Sequence, residues 1–338
     1  WYRRAAERGQ AEARLLVEDR DADDVSVAEA EAVAWYRRAA AQGHAEGQVT
    51  LGDLYAAGRG VPQDDVEMAR WYRMAAEQGH AEAQVTLGDF YAAGDGVVQD
   101  VDEAVGWYRQ AAAQGHAQAL QWIRQAAEQG SVEAQASLGG LYITGEGVAR
   151  DADEAAQWVR LAAEQGHAEA QTTLGGLYAA GDGVAQDNVE AVRWYQQAAA
   201  QGIARAQLDL GSMYFRGQGV GQDAAEGLRW FLLAAEQGYI PAQTNLAGMY
   251  ADGRGVVQDV NEAVRWYRMA AEEGLAEATR WIHLTAEQGS ASAQFTLGVM
   301  YAEGRAVEHD EMEAVVWIDQ AVTQGHVEAM EWVRVMAE

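Results

Sequence analysis

The sequence predicts an all-α fold, an α/α superhelical solenoid of antiparallel helix pairs. The prediction rests on a repeating tryptophan, glycines at fixed places in each repeat and apolar residues at helical spacing. Successive tryptophans are 36 or 15 residues apart, with one interval of 34. They are Trp1, Trp35, Trp71, Trp107, Trp122, Trp158, Trp194, Trp230, Trp266, Trp281, Trp317 and Trp332. A fixed period in this range is typical of stacked repeat architectures. We therefore expect residues 1–338 to form one long repeat domain.

Full repeats and shorter segments alternate along the chain. The full repeats are 44–79, 80–115, 131–166, 167–202, 203–238, 239–274 and 290–325. Three segments, 116–130, 275–289 and 326–338, keep the ends of a repeat but lose its middle, so each has room for a single helix. One extra antiparallel helix reverses the direction of the helices that follow it. We therefore expect a bend near 116–130 and another near 275–289.

Residues 1–43 are predicted to be a partial and degenerate repeat. The acidic run from Glu18 to Asp24 indicates an exposed loop. Ser26 and Glu29 match a capping box, in which a serine side chain and a glutamate three residues later bond to free amides at the start of a helix. We therefore expect a helix to begin at Ser26 and to run toward Trp35.

The first helix of each full repeat, helix A, is predicted from small and apolar residues three and four positions apart. In 80–115 this stripe includes Leu87 and Tyr91. A glycine such as Gly88 recurs within the stripe, although a mid-helix glycine costs about 1 kcal/mol relative to alanine. Its recurrence indicates that another helix approaches closely. Helix A is expected to end at a loop glycine such as Gly94.

The second helix, helix B, is predicted to begin at an aspartate that caps its first turn. Asp100 with Glu103 fits an aspartate form of the capping box, and the same pair stands here in every full repeat. The apolar stripe that follows contains Trp107. A lone helical hairpin cannot bury both of its apolar faces, so we expect the tryptophans to lie between stacked neighbours.

The composition limits the possible partners. The formal net charge is −28 and all 24 basic residues are arginine, a composition that suggests a bacterial source. Nucleic-acid phosphates and anionic membrane surfaces repel so acidic a chain. No apolar run is long enough to span a bilayer, so we expect neither a nucleic-acid partner nor direct membrane insertion. The compartment is left open, with a soluble periplasmic or secreted location favoured over the cytoplasm.

No catalytic, cofactor or metal site is predicted. The chain contains no cysteine, which excludes disulfides and thiolate chemistry. Five histidines follow the glycine that ends a repeat or short segment, but isoleucine, tyrosine, leucine or serine takes this place elsewhere, which indicates a turn and packing position. The G-x-G-V loop follows no strand and lacks the lysine of a phosphate-binding loop, and its acidic residues do not match a calcium loop.

The repeat at 80–115 fits the pattern A-E-A-Q-x-x-L-G-x-x-Y-x-x-G-x-G-V-x-x-D-x-x-E-A-x-x-W-Y-x-x-A-A-x-x-G. This pattern resembles the Sel-one-like repeat family, a relative of the tetratricopeptide repeats, and the resemblance covers nearly the whole chain. It implies an α/α solenoid and a role as an adaptor in protein complexes. The chain departs from the pattern in its short segments, across 10–34, and at Ala247 and Ala306, which replace glycines.

A binding surface is predicted from positions that vary between repeats. By analogy with tetratricopeptide arrays, helix A is expected to line a concave groove with positions three before, one after, and four or five after its glycine. The early part of this surface is mostly acidic and consists of Glu46, Val49, Asp53, Glu82 and Asp89. The later part is mostly apolar and consists of Leu208, Ser212, Phe215, Arg216, Phe295 and Val299. Drift on an unused surface would also produce such variation.

The sequence therefore predicts a non-enzymatic scaffold or adaptor that binds a protein or peptide in this groove, whose acidic part suits a basic ligand. An alternative interpretation makes the chain the recognition or regulatory arm of a larger enzyme or sensor whose catalytic domain lies outside this segment. A catalytic module before Trp1 would favour the alternative, and a signal peptide would favour the scaffold.

Overall fold

The computed structural model describes the backbone of residues 22–336 and the side chains of residues 32–336. This part of the chain contains 18 α-helices and no strand, which confirms the predicted fold class. The helices are α1 (Ala22–Ala41), α2 (Ala45–Ala57), α3 (Asp65–Glu77), α4 (Ala81–Ala93), α5 (Val101–Ala113), α6 (Ala117–Glu128), α7 (Val132–Thr144), α8 (Ala152–Glu164), α9 (Ala168–Ala180), α10 (Asn188–Ala200), α11 (Ala204–Arg216), α12 (Ala224–Glu236), α13 (Ile240–Asp252), α14 (Val260–Glu272), α15 (Ala276–Glu287), α16 (Ala291–Glu303), α17 (Glu311–Thr323) and α18 (Val327–Met336).

The helices group into two compact bodies. The first runs to Ala170 and includes Asp182–Val184, and the second contains Gln171–Gly181 and continues from Ala185. In the first body α2 packs on α3, α4 on α5, and α7 on α8. In the second body α11 packs on α12, α13 on α14, and α16 on α17. Each body is thus built from helix pairs of the predicted kind.

Helix α1 begins earlier than predicted. It starts at Ala22, so Asp23 and Asp24 are helical rather than part of a loop, and Ser26 lies inside the helix instead of capping it. The segment is rich in alanine and glutamate, which favour helix, and acidic residues in a first turn interact favourably with the helix dipole. The rest of the predicted acidic loop, 18–21, lies outside the described residues.

The predicted aspartate caps of helix B are confirmed. The Oδ1 atom of Asp100 accepts hydrogen bonds from the amides of Asp102 and Glu103, at 3.0 and 3.1 Å. Such a bond satisfies amides that would otherwise lack a partner at a helix start. The same capping is made by Asp64, Asp151, Asp187, Asp223, Asp259 and Asp310.

The reciprocal half of the predicted capping box is wrong. The backbone N–H of Asp100 donates to the carbonyl oxygen of Tyr91 at 2.9 Å, so it has no need of the Glu103 carboxylate. The capping aspartate of each other full repeat makes the same bond to a tyrosine near the end of helix A. The Asp64 amide, for example, donates to the Tyr55 carbonyl at 3.1 Å. This bond ties the start of helix B to helix A.

The recurring glycine of helix A lies against the residue that follows the tryptophan. A Cβ added to Gly88 would come within 3.0 Å of the Tyr108 ring, and one added to Gly52 would come within 2.7 Å of the Tyr72 ring. Real Cβ atoms rarely approach so closely. The predicted close helix approach is therefore confirmed, and Tyr108 is the largest fully buried side chain of the structure's described part.

The tryptophans vary in burial. Trp194 and Trp266 are buried, while Trp35 is 39% exposed. The tryptophans from Trp71 to Trp158, together with Trp230, Trp281, Trp317 and Trp332, are half-buried. The residue after the tryptophan, rather than the tryptophan itself, thus occupies the centre of most helix pairs.

The single helices α6 and α15 each form a three-helix cluster with their neighbours. Helix α6 contacts α5 and α7, and α5 also contacts α7 directly. Helix α15 packs in the same way with α14 and α16. An aromatic pair recurs in both clusters, because the rings of Tyr108 and Trp122 are 4.3 Å apart and those of Tyr267 and Trp281 are 4.4 Å apart. The bends predicted at these helices stay predictions.

A chain of glutamines links successive helices inside the core. The Nε2 of the buried Gln84 donates to the Ala76 carbonyl at 3.0 Å, and its Oε1 accepts from Gln114 at 2.8 Å. The same pair of bonds is made by Gln48, Gln135, Gln207 and Gln294. In 239–274 the second glutamine is replaced by Glu273, and the buried Oε1 of Gln243 has no partner among the described residues.

Restoring the missing glutamine should stabilise the protein. A buried acceptor without a partner costs about 1–3 kcal/mol. We predict that Glu273→Gln raises the free energy of unfolding by about 1 kcal/mol, measured by urea unfolding. The reverse change in an intact pair, Gln237→Glu, should lower it. Equal effects of the two substitutions would contradict this interpretation of the glutamine chain.

Removal of a buried tryptophan should destabilise the second body. Trp194 is 6% exposed and its indole N–H has no partner among the described residues, so its contribution is packing. We predict that Trp194→Ala lowers the free energy of unfolding by about 3–5 kcal/mol in urea unfolding. Trp35→Ala, at the most exposed described tryptophan, should cost about 1 kcal/mol. A cost of under about 1 kcal/mol at Trp194 would show that this indole is not a core residue.

Candidate functional site

The acidic part of the predicted surface lies on α2 and α4, the first helices of two neighbouring repeats. The side chains of Glu46 and Asp53 on α2 and of Glu82 and Asp89 on α4 are all exposed. Glu46 corresponds to Glu82 and Asp53 to Asp89, because each pair is 36 residues apart and occupies one position of the repeat. Two consecutive repeats therefore present the same two carboxylates.

A tyrosine of the same repeat holds each aspartate. The hydroxyl of Tyr72 donates to Asp53, and that of Tyr108 donates to Asp89. Burial raises the pKa of both tyrosines, and the aspartate that accepts the bond raises it further. Both phenols therefore remain protonated donors at neutral pH and keep each carboxylate in one position.

The aspartate–tyrosine pair is confined to these two repeats among the full repeats described. Tyr195 and Tyr267 face Gly176 and Gly248, which have no side chain to accept the bond. In 203–238 the tyrosine is replaced by Phe231. The pair is therefore a local feature rather than a requirement of the fold.

His80 and His167 each cap a helix A and contact a glutamate of the preceding repeat. The Nδ1 of His80 accepts from the Ala83 amide at 3.2 Å, and its Nε2 lies 3.3 Å from Glu46. His167 caps in the same way, and its bond to Glu133 raises the pKa of this histidine and lowers that of the glutamate. The repeat-end position that the sequence marked for turns is thus a helix cap, which explains why serine also occupies it.

The carboxylates of the acidic surface are not neutralised by arginine. In the part of the chain that the structure describes, no arginine forms an ion pair with Asp53, Glu82 or Asp89. The nearby Arg73 instead bonds to the Tyr91 hydroxyl. Val49, the remaining predicted residue of this part, is half-buried and packs against the core.

The apolar residues of α11 are less exposed than predicted. Leu208 and Phe215 are half-buried and pack against the core around Phe231, with the two phenylalanine rings 6.5 Å apart. The ring of Phe215 also lies against Gly255. Ser212 donates its hydroxyl to the Leu208 carbonyl at 3.0 Å, whereas Arg216 is exposed.

The apolar residues of α16 are also half-buried. The Phe295 ring packs 5.2 Å from the His326 ring and against the core that α17 and α18 form. Val299 lies one turn further along the helix and is half-buried too. Phe215 and Phe295 therefore contribute to packing, which sequence reasoning had missed because it treated both as surface residues.

A cluster of three side chains on helix B was not predicted from the sequence. In four full repeats an arginine precedes the tryptophan, lies over the indole and pairs with a glutamate three residues earlier. Arg70, for example, is 5.6 Å from the Trp71 ring and 3.1 Å from Glu67. Arg193, Arg229 and Arg265 do the same. The signal was the recurring E-x-x-R-W spacing.

The described residues form neither a metal-binding cluster nor a membrane-spanning helix. No group of three or more histidine, aspartate or glutamate side chains between residues 32 and 336 is arranged to hold a metal ion. None of the helices described combines the length and the apolar character needed to cross a bilayer.

Comparison with known proteins places the repeats in one family. The Sel1 repeat model matches residues 1–10, 21–44, 45–80, 81–116, 117–131, 132–167, 168–203, 204–239, 240–275 and 291–326. A search of curated proteins finds no match.

Several solved structures are similar to the chain. A protective antigen of uropathogenic Escherichia coli strains, described as displaying an SLR fold, is 33% identical, with 97% of this chain and 79% of that one covered and a TM-score of 0.48. A Sel1 repeat protein from Oxalobacter formigenes is 32% identical, with 99% and 88% covered and a TM-score of 0.47. Because the family model matches most of its length, the chain belongs to the Sel1 repeat family.

Proposed function

We propose that the protein is a non-enzymatic scaffold that binds a basic segment of a partner protein. The observation that supports this proposal is the acidic surface on α2 and α4, formed by Glu46, Asp53, Glu82 and Asp89. Its carboxylates are exposed, and Asp53 and Asp89 are fixed by tyrosine hydroxyls.

The position of these carboxylates suits recognition rather than stability. Exposed charges that form no ion pair within the described residues contribute little to folding, because water solvates them. The same charges attract a basic partner, since complementary charge speeds association and disfavours wrong partners. Carboxylates that are already held in place lose less conformational freedom on binding.

The later part of the predicted groove is proposed to add apolar contacts. Leu208, Phe215, Phe295 and Val299 are half-buried, so each leaves part of its side chain accessible. Arg216 is exposed next to Phe215 in the sequence, and Ser212 lies one turn away on α11. Because the two phenylalanines also pack in the core, their removal would change stability as well as binding.

A lysine-rich peptide provides a direct test of the acidic surface. We predict that Asp53→Asn with Asp89→Asn weakens binding of a fluorescein-labelled peptide, four lysines spaced by Gly-Ser, about 5- to 10-fold in anisotropy titrations. Asparagine keeps an acceptor for the tyrosine hydroxyl, so the local structure should persist. The loss should shrink as salt is added.

The matched control carries the same charge change elsewhere in the first body. Asp95→Asn with Glu146→Gln alters two exposed loop acids, each of which follows the glycine that ends helix A. Its peptide affinity should stay within about twofold of the unmodified protein. If both double variants lose affinity equally, the peptide responds to net charge and the proposed surface is wrong.

A further inference from the structure

The last full repeat and the helix before it line a cavity, and several residues around this cavity differ from those of the earlier repeats. It lies in the second body, between α15, α16, α17 and the loop that joins the last two, and has a volume of about 850 Å³. Its walls include His283, Tyr301, Glu308, Asp310, Glu313 and Trp317. None of these residues belongs to the surface proposed above, so this inference stands independently of that function.

In earlier repeats an arginine bonds to the tyrosine that corresponds to Tyr301. The arginine stands two residues after a tryptophan, and its guanidinium donates to the tyrosine hydroxyl of the next repeat. Arg37 donates to Tyr55 at 2.8 Å, and Arg73 and Arg124 donate to Tyr91 and Tyr142. The position beside this tyrosine is therefore one that a guanidinium fits.

A second arginine lies beside the tryptophan that corresponds to Trp317. Arg265 lies 5.6 Å from the Trp266 ring and 3.5 Å from Glu262, and the same arrangement recurs at three other described repeats. A guanidinium over an indole and beside a carboxylate combines cation–π attraction with an ion pair.

The last full repeat lacks both arginines. His283 replaces the first and Val316 the second, whereas each of the other six full repeats keeps at least one of the two. His283 lies 3.3 Å from Glu287 and meets Trp317 edge-on at 5.7 Å. Among the described residues, the Tyr301 hydroxyl has no hydrogen-bond partner, and the Glu313 carboxylate accepts a hydrogen bond only from the Trp317 indole, at 3.0 Å.

The loop beside the cavity departs from the repeat as well. Glu308 adds a carboxylate where the other full repeats have proline, valine, alanine or glycine. Ala306 holds a φ of 61° and is the single non-glycine residue with positive φ in the described chain. A non-glycine residue in this conformation is strained, and such strain clusters at functional sites.

We propose that this cavity binds an arginine side chain of a partner protein. The chain itself shows the chemistry of the occupant, because arginines of earlier repeats make these contacts with equivalent residues. The guanidinium would donate to Tyr301 and Glu313 and lie over Trp317, while Glu308 and Asp310 supply further negative charge. Burial, with Glu313 and Asp310, raises the pKa of Tyr301, which keeps its hydroxyl protonated.

The test uses a short peptide with a single arginine as the probe. The probe is a seven-residue Gly/Ser peptide with one central arginine, followed by NMR through the indole N–H signal of Trp317, which is assigned by its loss in Trp317→Phe. We expect the peptide to shift this signal, and the same peptide with neutral citrulline to bind at least tenfold more weakly. A lysine peptide that binds as well as the arginine peptide would overturn the guanidinium assignment.

Two substitutions restore what earlier repeats contain. His283→Arg with Val316→Arg should fill the cavity from within and weaken peptide binding at least tenfold. Gly106→Arg is the matched control, because it adds an arginine before Trp107, where a side chain meets open space. It should leave binding unchanged.

A third variant tests the proposal even if the double variant misfolds. Glu313→Gln keeps an acceptor for the indole but removes the charge, and it should weaken arginine binding several-fold. Binding that survives both His283→Arg with Val316→Arg and Glu313→Gln would overturn the proposal. A loss in Gly106→Arg equal to that in the double variant would overturn it too, because the effect would then come from net charge.

Discussion

The helix pairs depend on the close approach between the glycine of helix A and the residue that follows the tryptophan of helix B. A Cβ at Gly139 would come within 2.5 Å of Val159, and one at Gly211 within 2.8 Å of Phe231. Where alanine replaces the glycine, at Ala247, the opposing Tyr267 is half-buried, whereas Tyr72, Tyr108 and Tyr195 are buried. The added methyl group accounts for this difference, because it fills the space that the ring takes in other repeats.

Most of the fold could be predicted from the sequence because its determinants are local and repeated. The loop glycines, the aspartate caps and the period of the apolar residues act within a few positions of one another, and each recurs many times. The prediction was wrong where a backbone amide had a second possible hydrogen-bond acceptor. The Asp100 amide bonds to Tyr91 rather than to Glu103, since helix A brings that carbonyl closer.

Side-chain exposure was harder to predict than the helices. Phe215 stands at a variable position, which suggested a surface residue, yet it fills space against Gly255 in the next repeat. The acidic positions Glu46, Asp53, Glu82 and Asp89 are exposed, as is usual for carboxylates. The tyrosines that hold Asp53 and Asp89 were missed, because the residues of each pair are 19 positions apart and on different helices.

Both proposals rest on departures from the repeat. The aspartate–tyrosine pairs occur in the first two full repeats, and the loss of both arginines occurs in the last. Positions needed for packing between helices recur from repeat to repeat. A substitution that leaves the helix pair intact can therefore contribute to recognition. Glu273 shows the opposite case, in which a departure leaves the buried Oε1 of Gln243 without a partner among the described residues.

The helix-approach constraint is tested most directly by two glycine-to-alanine substitutions in one repeat. Gly88 faces the Tyr108 ring, whereas an added Cβ at Gly106 on α5 meets nothing within 4 Å. Alanine favours helix over glycine by about 1 kcal/mol at an unobstructed position. Urea unfolding should therefore show Gly106→Ala stabilised by about 0.5–1 kcal/mol and Gly88→Ala destabilised by about 1–3 kcal/mol. Stabilisation by both substitutions would contradict the account.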